Sequence, residues 1–296
     1  MPNLRDIRNR ISSINNTQQI TKAMKMVAAA KLRKAQDRMI ETRPYAFELN
    51  KVVARLVANS SGDQELLRKP EIEKRFLFVV VGSDKGLCGA FNNNLFKEVE
   101  AVLKNDYQDY LSDDKLDIIA IGRKAEAYFK KRKYSVIKSY PGFFDDLRFE
   151  KTKNISRDFT RSFTDGIYDG VFLAFNEFKS VISQKRVIDR ILPINPEALL
   201  DPDDEIESHI DYIFEPDAES ILDEILPKHL NIQLWKAVLE SNASEQGARM
   251  AAMDNATENA KELKEDLQLK YNQARQSAIT TEISEIVSGA QALEET

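Results

Sequence analysis

The sequence predicts an α/β protein: its N- and C-terminal segments form a long antiparallel coiled coil, and the chain between them folds around a parallel sheet. Three observations carry this expectation. Proline and glycine are unevenly spread, since the stretch from Asn3 to Arg43 contains neither and the last 69 residues contain no proline and only Gly247 and Gly289. Because both residues interrupt helices, the ends read as long helices and the middle does not. The two ends also carry opposite charge, +7 over residues 1–43 and −5 over 231–296, which favours their lying side by side. Between them, short β-branched and aromatic runs alternate with amphipathic stretches, the pattern of strand–helix–strand units.

The first helix opens with Leu4, Ile7, Ile11 and Ile14, an a/d seam, and then becomes a thin apolar surface from Ala23 to Ala30 that only Lys25 interrupts. A helix apolar on nearly all sides has to be enclosed. Pro44 should kink or end this helix, with Phe47, Leu49, Val52, Val53, Leu56 and Val57 marking a resumption to about Asn59. The last helix carries Ile232, Trp235 and Leu239, then Met250, Met253, Ala256, Ala260, Leu263, Leu267 and Tyr271. At ~1.5 Å per residue the two rods measure roughly 60 and 90 Å, too long for the interior of a domain of this mass. The expected domains are 1–59, 60–215 and 216–296.

In the middle, Phe76–Val81 and Leu116–Ile121 suit strands buried on both faces, Ser135–Ser139 and Val171–Phe175 suit shorter ones, and Val181–Ile194 and Tyr212–Phe214 suit edge strands. Phe91–Leu103, Ala125–Lys133 and Ile155–Tyr168 carry helical spacing. The result is a Rossmann-like parallel-sheet domain. Its first strand runs into Gly82, Gly86 and Gly89, but the segment is neither G-x-G-x-x-G nor a P-loop, for it lacks the Gly-Lys-Ser/Thr ending that cradles phosphates. The glycines therefore read as a strand-to-helix turn, with a nucleotide-binding α/β module carrying a helical arm as the alternative.

Composition narrows the function classes. A chain that is 42% hydrophobic and 31% charged folds around one or two cores, and a net charge of −5 gives no basic excess for nucleic acid. Cys88 is the single cysteine, so no intramolecular disulfide forms, and with His209 and His229 it cannot build a zinc site. Cys88 reads as a buried structural thiol, with a lowered pKa at a helix start as the alternative. Neither a secretory leader nor an apolar run of spanning length is found. Twelve acids and no Lys or Arg lie between Ile191 and Pro227. The Asp201–Glu207 cluster lacks EF-hand spacing; it reads as a solvated loop, and the acids beside Tyr212 and Phe214 also suit an interface with a basic or polar partner.

Length arithmetic yields a sharper clue. Antiparallel pairing sets Leu4 opposite roughly Leu269 to Tyr271, which leaves about twenty-five residues overhanging. Ala278, Ile279, Ile283, Ile286, Val287, Ala290 and Leu293 then form an apolar stripe with no partner left in the chain. Another protein has to bury it, unless the helix folds back or self-associates.

The runs LRDIRNRISSINNTQQITKAMKMVAAAKLRKAQ, GSDKGLCGAFN, SEQGARMAAMDNAT and YNQARQSAITTEISEIVSGA resemble the gamma subunit family of F-type ATP synthases, in its bacterial form. The resemblance spans effectively the whole chain. It implies a noncatalytic central rotor shaft, without cofactor, threaded through a ring of three alpha and three beta subunits. Such a shaft couples proton flow through the membrane sector to ATP synthesis or hydrolysis. It also implies a peripheral place on the cytoplasmic face of the inner membrane. Arg275 and Gln276 would hydrogen-bond a beta-subunit catch loop, and Met24, Lys25, Glu245, Arg249 and Thr280 match coupling positions. For Arg249 and Arg275 the alternative is an ordinary solvated helix cation. Ile279, Ile283, Ile286, Val287 and Leu293 would turn in an apical bearing, while the short side chains of Ala28, Ala29, Ala30, Ala251 and Ala252 offer a turning shaft shallow ridges. Tyr212, Phe214 and Glu215 would form a foot on the c-subunit ring and the epsilon subunit. The Ala198–Ser208 loop departs from the family pattern, and its role stays open.

Overall fold

The computed structural model describes residues 4–58, 60, 64–199, 215 and 217–294. The chain divides into two compact units: Ala29–Arg249, and the two ends Met1–Ala28 with Met250–Thr296. Helix α1 spans Leu4–Ala58 and helix α6 spans Ala218–Glu294. Pro44 does not end α1, which continues through it. Proline removes the bond to the carbonyl four residues earlier, that of Ile40. Both Pro44 and Ile40 are exposed, so water can take up that carbonyl. Pro227 likewise lies inside α6.

The larger unit contains a five-stranded sheet in the order β3-β2-β1-β4-β5. Its strands are β1 (Phe76–Val81), β2 (Leu116–Ile121), β3 (Val136–Tyr140), β4 (Gly170–Phe178) and β5 (Gln184–Leu192). The first four are mutually parallel, with Phe76 opposite both Leu116 and Gly170, and β5 returns antiparallel on β4. Every residue of β1 and β2 is buried, as unbroken apolar runs require when helices cover both faces. Alternate residues serve alternate cores. Phe76, Phe78 and Val80 pack with Leu95, Phe96 and Val99 of α2 (Phe91–Asn105) and Phe129 of α4 (Arg123–Lys131), a short α3 (Gln108–Ser112) lying between those helices in sequence. Leu77, Val79 and Val81 join Val53 and Leu56 of α1, Ile155, Phe159 and Phe163 of α5 (Phe149–Thr164), and Leu222, Leu226, Leu230 and Leu234 of α6.

Helix boundaries depart from expectation for identifiable reasons. Helix α4 stops at Lys131 rather than Lys133 because Lys133 takes a left-handed φ of 63° and the Tyr134 N–H reaches back to Phe129 O at 3.2 Å. Helix α5 starts at Phe149, six residues before the expected Ile155, because Phe149 meets Trp235 edge-on at 5.8 Å and Thr152 is buried. It ends at Thr164 ahead of Gly166, whose φ is +73°. The edge strand expected at Val181–Ile194 is the shorter β5, and that expected at Tyr212–Phe214 lies outside the described residues.

Strand order reverses between β1 and β4, and in open α/β sheets the crevice at such a point, outside the strands' carboxyl ends, is where ligands bind. Here the chain itself occupies it. The Ser241 hydroxyl of α6 lies 3.4 Å from Val81 O at the end of β1, and Glu240 Oε2 accepts the Phe178 N–H at 3.0 Å at the end of β4. Farther along α6, Arg249 donates to Lys85 O at 3.0 Å and to Gly86 O at 3.2 Å, capping the loop that follows β1. Of the glycines there, Gly82 serves packing, since a Cβ on it would sit 2.9 Å from both Ala125 Cβ and the Phe96 ring, and Gly89 serves the turn with a φ of 59°.

Buried carboxylates tie the remaining loops. Asp84 accepts the backbone N–H groups of Arg123, Gly142 and Phe144 at 3.0, 2.7 and 2.8 Å. Asp117, inside β2, accepts Arg75 through Nε and Nη2 at 3.0 and 2.7 Å, Tyr168 at 2.9 Å and Ser135 at 2.5 Å. Burial and the hydrogen bond to Asp117 push the Tyr168 phenol far up.

Two outcomes follow. Asp117→Ala leaves the buried Tyr168 hydroxyl without its acceptor, while the half-exposed Arg75 turns to water, and should lower stability by roughly 1–3 kcal/mol, read as a lower urea midpoint of Trp235 fluorescence. Burial already pushes the Glu245 carboxyl up, and Arg249, which donates to it at 2.6 Å, opposes that rise. In Arg249→Ala the folded-state pKa of Glu245 climbs further above its unfolded value, so folding favours the protonated form. The variant's deficit should then be larger at pH 8 than at pH 5, and adding Glu245→Gln should flatten the difference.

Candidate coupling surfaces on the terminal helices

In the smaller unit the two ends pair antiparallel through side chains at three levels. Lys264 Nζ donates to Asn15 Oδ1 at 2.8 Å, the hydroxyls of Thr257 and Thr21 lie 2.8 Å apart, and Lys25 Nζ meets Asp254 Oδ1 at 2.6 Å. Ile7, Met253, Ala260 and Leu267 are buried in the seam. Extended at constant register, these pairs set Leu4 level with about Ala274, one turn beyond the expected Leu269 to Tyr271. Interlocking side chains set the register, and counting from the domain edge misses by that turn.

The thin apolar segment of α1 is only half enclosed. Ala28 is 1% exposed, Met24 is half-buried, and Met26 and Val27 are 60% and 56% exposed. Lys25 has its carboxylate partner, but the pair is open to solvent and so contributes little to stability. Met24 and Lys25 thus sit on one short stretch beside bare apolar surface.

Beyond the pairing, α6 continues with its side chains bare. Ile279, Ile283, Ile286 and Val287 are 47–66% exposed and share one face by their spacing. The Leu293 side chain lies outside the described residues. Arg275, Gln276 and Thr280 are all exposed. The Thr280 hydroxyl folds back onto Gln276 O at 2.9 Å. Arg275 and the Gln276 amide take no side-chain partner among the described residues, which leaves two adjacent polar groups able to bond outward.

Glu245 and Arg249 belong to the other unit and are differently disposed. Both are buried, and Arg249 spends its donors on Lys85 O, Gly86 O, Gln246 Oε1 and Glu245 Oε1. The solvated-cation alternative for Arg249 does not hold. Burial, with the nearby Glu245 charge, pushes the Cys88 thiol up, so it is not an activated nucleophile. His229 is 3% exposed, and burial lowers its pKa to about 4, which makes it a packed neutral ring. Of the proposed foot, Tyr212 and Phe214 lie outside the described residues, while Glu215 is exposed. Most of the Ala198–Ser208 loop lies outside them too.

Sequence reasoning passed over Glu240, which is 1% exposed and takes Arg43 through Nε at 3.0 Å and Nη2 at 2.8 Å. Its signal was present as a lone acid in the otherwise packed stretch Trp235 to Ser241. Asp117 inside an apolar strand is the same kind of signal. No cluster of His, Cys, Asp or Glu among the described residues has the geometry of a metal site. No described helix is long and apolar enough to cross a membrane.

The family model described as ATP synthase matches residues 3–293. The ATP synthase gamma chain of Salinibacter ruber is 46% identical, covering 100% of this chain and 99% of its own. That of Chlorobaculum parvum is 48% identical over the whole of both chains. Among solved structures, a chain of the Tetrahymena thermophila mitochondrial ATP synthase central stalk and c-ring superposes with a TM-score of 0.61 at 28% identity, covering 80% of this chain and 99% of that one. A chain of the Euglena gracilis mitochondrial enzyme, at 21% identity and a TM-score of 0.69 over 98% of this chain, shares the fold. Full-length identity near one half, together with paired terminal helices flanking a parallel sheet, places this chain in the ATP synthase gamma chain family, the rotor shaft of that enzyme.

Proposed function

We propose that the chain is a noncatalytic shaft that turns within a ring of three alpha and three beta subunits and links proton movement through the membrane sector to ATP synthesis or hydrolysis. The observation that carries this reading is the bare end of α6, where four aliphatic side chains on one face stand 47–66% exposed. Full burial of each is worth ~1.5–3 kcal/mol, so a surrounding apolar socket would hold the tip firmly without any directional contact. Arg275 and Gln276, one turn before the stripe, supply the direction: a planar cation and an amide suit a carboxylate or carbonyl on a beta subunit. Such contacts, made and broken in turn, would bias each catalytic subunit toward a different state.

The Met24 and Lys25 stretch supports a second contact with the ring, since Met26 and Val27 beside it are bare. Glu245 and Arg249 would act on coupling from within, by fixing α6 to the loop after β1. The foot on the epsilon subunit and the c-ring, through Tyr212, Phe214 and Glu215, rests on sequence position and on the acidic character of that segment. This arrangement would keep the shaft peripheral, on the cytoplasmic face of the inner membrane.

The alternative, a nucleotide-binding module with a helical arm, is disfavoured because Glu240, Ser241 and Arg249 of α6 fill the crevice at the strand reversal. Stoichiometric micromolar binding of ATP to the isolated chain in a calorimeter would restore it; no heat of binding is expected. Removal of residues from Ser277 onward should weaken attachment to the alpha–beta ring in pull-down and leave Trp235 fluorescence unchanged. Arg275→Ala and Gln276→Ala should each reduce ATP synthesis in reconstituted vesicles several-fold while subunit stoichiometry stays normal. That size follows from losing ~1–1.5 kcal/mol of a polar contact. Unaltered synthesis in both variants removes the catch assignment.

A further inference from the structure

We propose that Arg43, Glu240 and the Phe178 N–H form a torsional key that stops the shaft helices from slipping around their axes against the sheet when torque is applied. This rests on the rotor role of the family and not on the catch assigned to Arg275 and Gln276.

A single carboxylate joins three elements of one unit. Glu240 Oε1 takes both Nε and Nη2 of Arg43 from α1, at 3.0 and 2.8 Å, and Oε2 takes the Phe178 N–H at the end of β4, at 3.0 Å. The α6 residues just before Glu240 are aliphatic, Leu234, Ala237, Val238 and Leu239 each being at most 1% exposed, and the one after it, Ser241, makes only a long 3.4 Å contact to Val81 O. Such packing strongly opposes pulling the helix off the sheet. It opposes rotation less, because nondirectional contacts can be exchanged for similar ones as a helix turns. A hydrogen-bonded carboxylate at a lever arm of about 5 Å from the helix axis cannot turn without breaking three directional bonds.

Stability alone is a poor reason for an ion at this place. Burying a carboxylate costs much of what its partner returns, and an apolar side chain of similar size often serves as well. The position of Arg43 strengthens the case. It directly precedes Pro44, which removes the α1 hydrogen bond to Ile40 O, so Arg43 crosses to α6 at the turn where α1 has lost an internal brace. A second support for the same helix lies farther along, where Arg249 caps Lys85 O and Gly86 O and Gly247 lies close to Val181 O.

The test uses the whole reconstituted complex with Glu240→Gln, Arg43→Met or both. A probe fixed to the rotor reports angular spread when the motor is stalled, and a pH-sensitive dye reports protons pumped per ATP against a gradient. ATP hydrolysis should stay near that of the unaltered complex. The variance of the angular spread should widen about twofold or more in Glu240→Gln and in Arg43→Met, with pumping per ATP reduced, and the double variant should be no softer than Glu240→Gln because both act through one contact. Arg43 is half-exposed, so Arg43→Met serves if Glu240→Gln does not assemble. A lowered unfolding midpoint with unchanged angular spread and unchanged pumping would reduce the contact to ordinary stability and overturn the proposal. Additive softening in the double variant would overturn it too. Failure of the rotor reading itself would look different, since the probe on the unaltered complex would then not turn with ATP.

Discussion

The larger unit depends on α6 lying in the crevice where the sheet reverses its strand order. Leu222, Leu226, Leu230, Leu234 and Val238 are each at most 1% exposed and cover one face of β1, β2 and β4 together with α1 and α5. Removing α6 would bare that face and open the carboxyl ends of β1 and β4 to water. The sheet is therefore completed by a segment more than forty residues later in sequence than β4, and it cannot be a free-standing nucleotide fold to which a rod has been added. In families where this crevice holds a cofactor, phosphate meets backbone N–H groups there. Here the backbone N–H of Phe178 meets Glu240, a carboxylate from the chain itself.

Apolar burial explains why the layers adhere, and four buried charged groups explain how they are oriented. Asp84 gathers three backbone N–H groups from two loops, Asp117 gathers Arg75, Tyr168 and Ser135, Glu240 gathers Arg43 and Phe178, and Arg249 gathers two carbonyls and Glu245. Each is nearly saturated with partners, as a charge must be to persist in a low-dielectric interior. All but Asp117 act at or beside the carboxyl ends of the strands, where α6 docks. The arrangement makes the sheet and the helices one mechanical body within this unit.

The sheet could be read from sequence because its strands are extreme: six consecutive apolar residues in Phe76–Val81, and five around a single acid in Leu116–Ile121, admit few other readings. The long helices could be read because Pro and Gly are sparse in them, two prolines and two glycines over both. Boundaries were less legible where a local conformation overrode propensity, as at Lys133 with its positive φ, or where tertiary contact extended a polar turn, as at Phe149 against Trp235. Pro44 is the opposite case. Its rule is sound for a buried helix interior, but at an exposed position water can replace the lost hydrogen bond to Ile40 O, and the packing of Ala46, Leu49 and Val53 beyond it holds the helix on course. The key at Glu240 was hidden because an acid at that point of a helical pattern is indistinguishable from a solvated one until the strand end and Arg43 arrive in space.

Helix α6 also shows why one hydropathy pattern cannot describe one element. From His229 to Arg249 every side chain is buried or half-buried, including Glu240, Ser241, Ser244 and Glu245, whereas from Arg275 to Ala290 every one is exposed, including six aliphatic residues large and small. The two stretches are both mixed in polarity, so their contrast comes from surroundings and not from sequence hydrophobicity. In the first, polar groups are carried inside and satisfied by the sheet. In the second, apolar groups are carried outside and left uncovered by any of the described residues. A helix with polar residues inward at one end and apolar residues outward at the other is poorly suited to a free monomer, and its logic closes only when a partner covers the bare stretch.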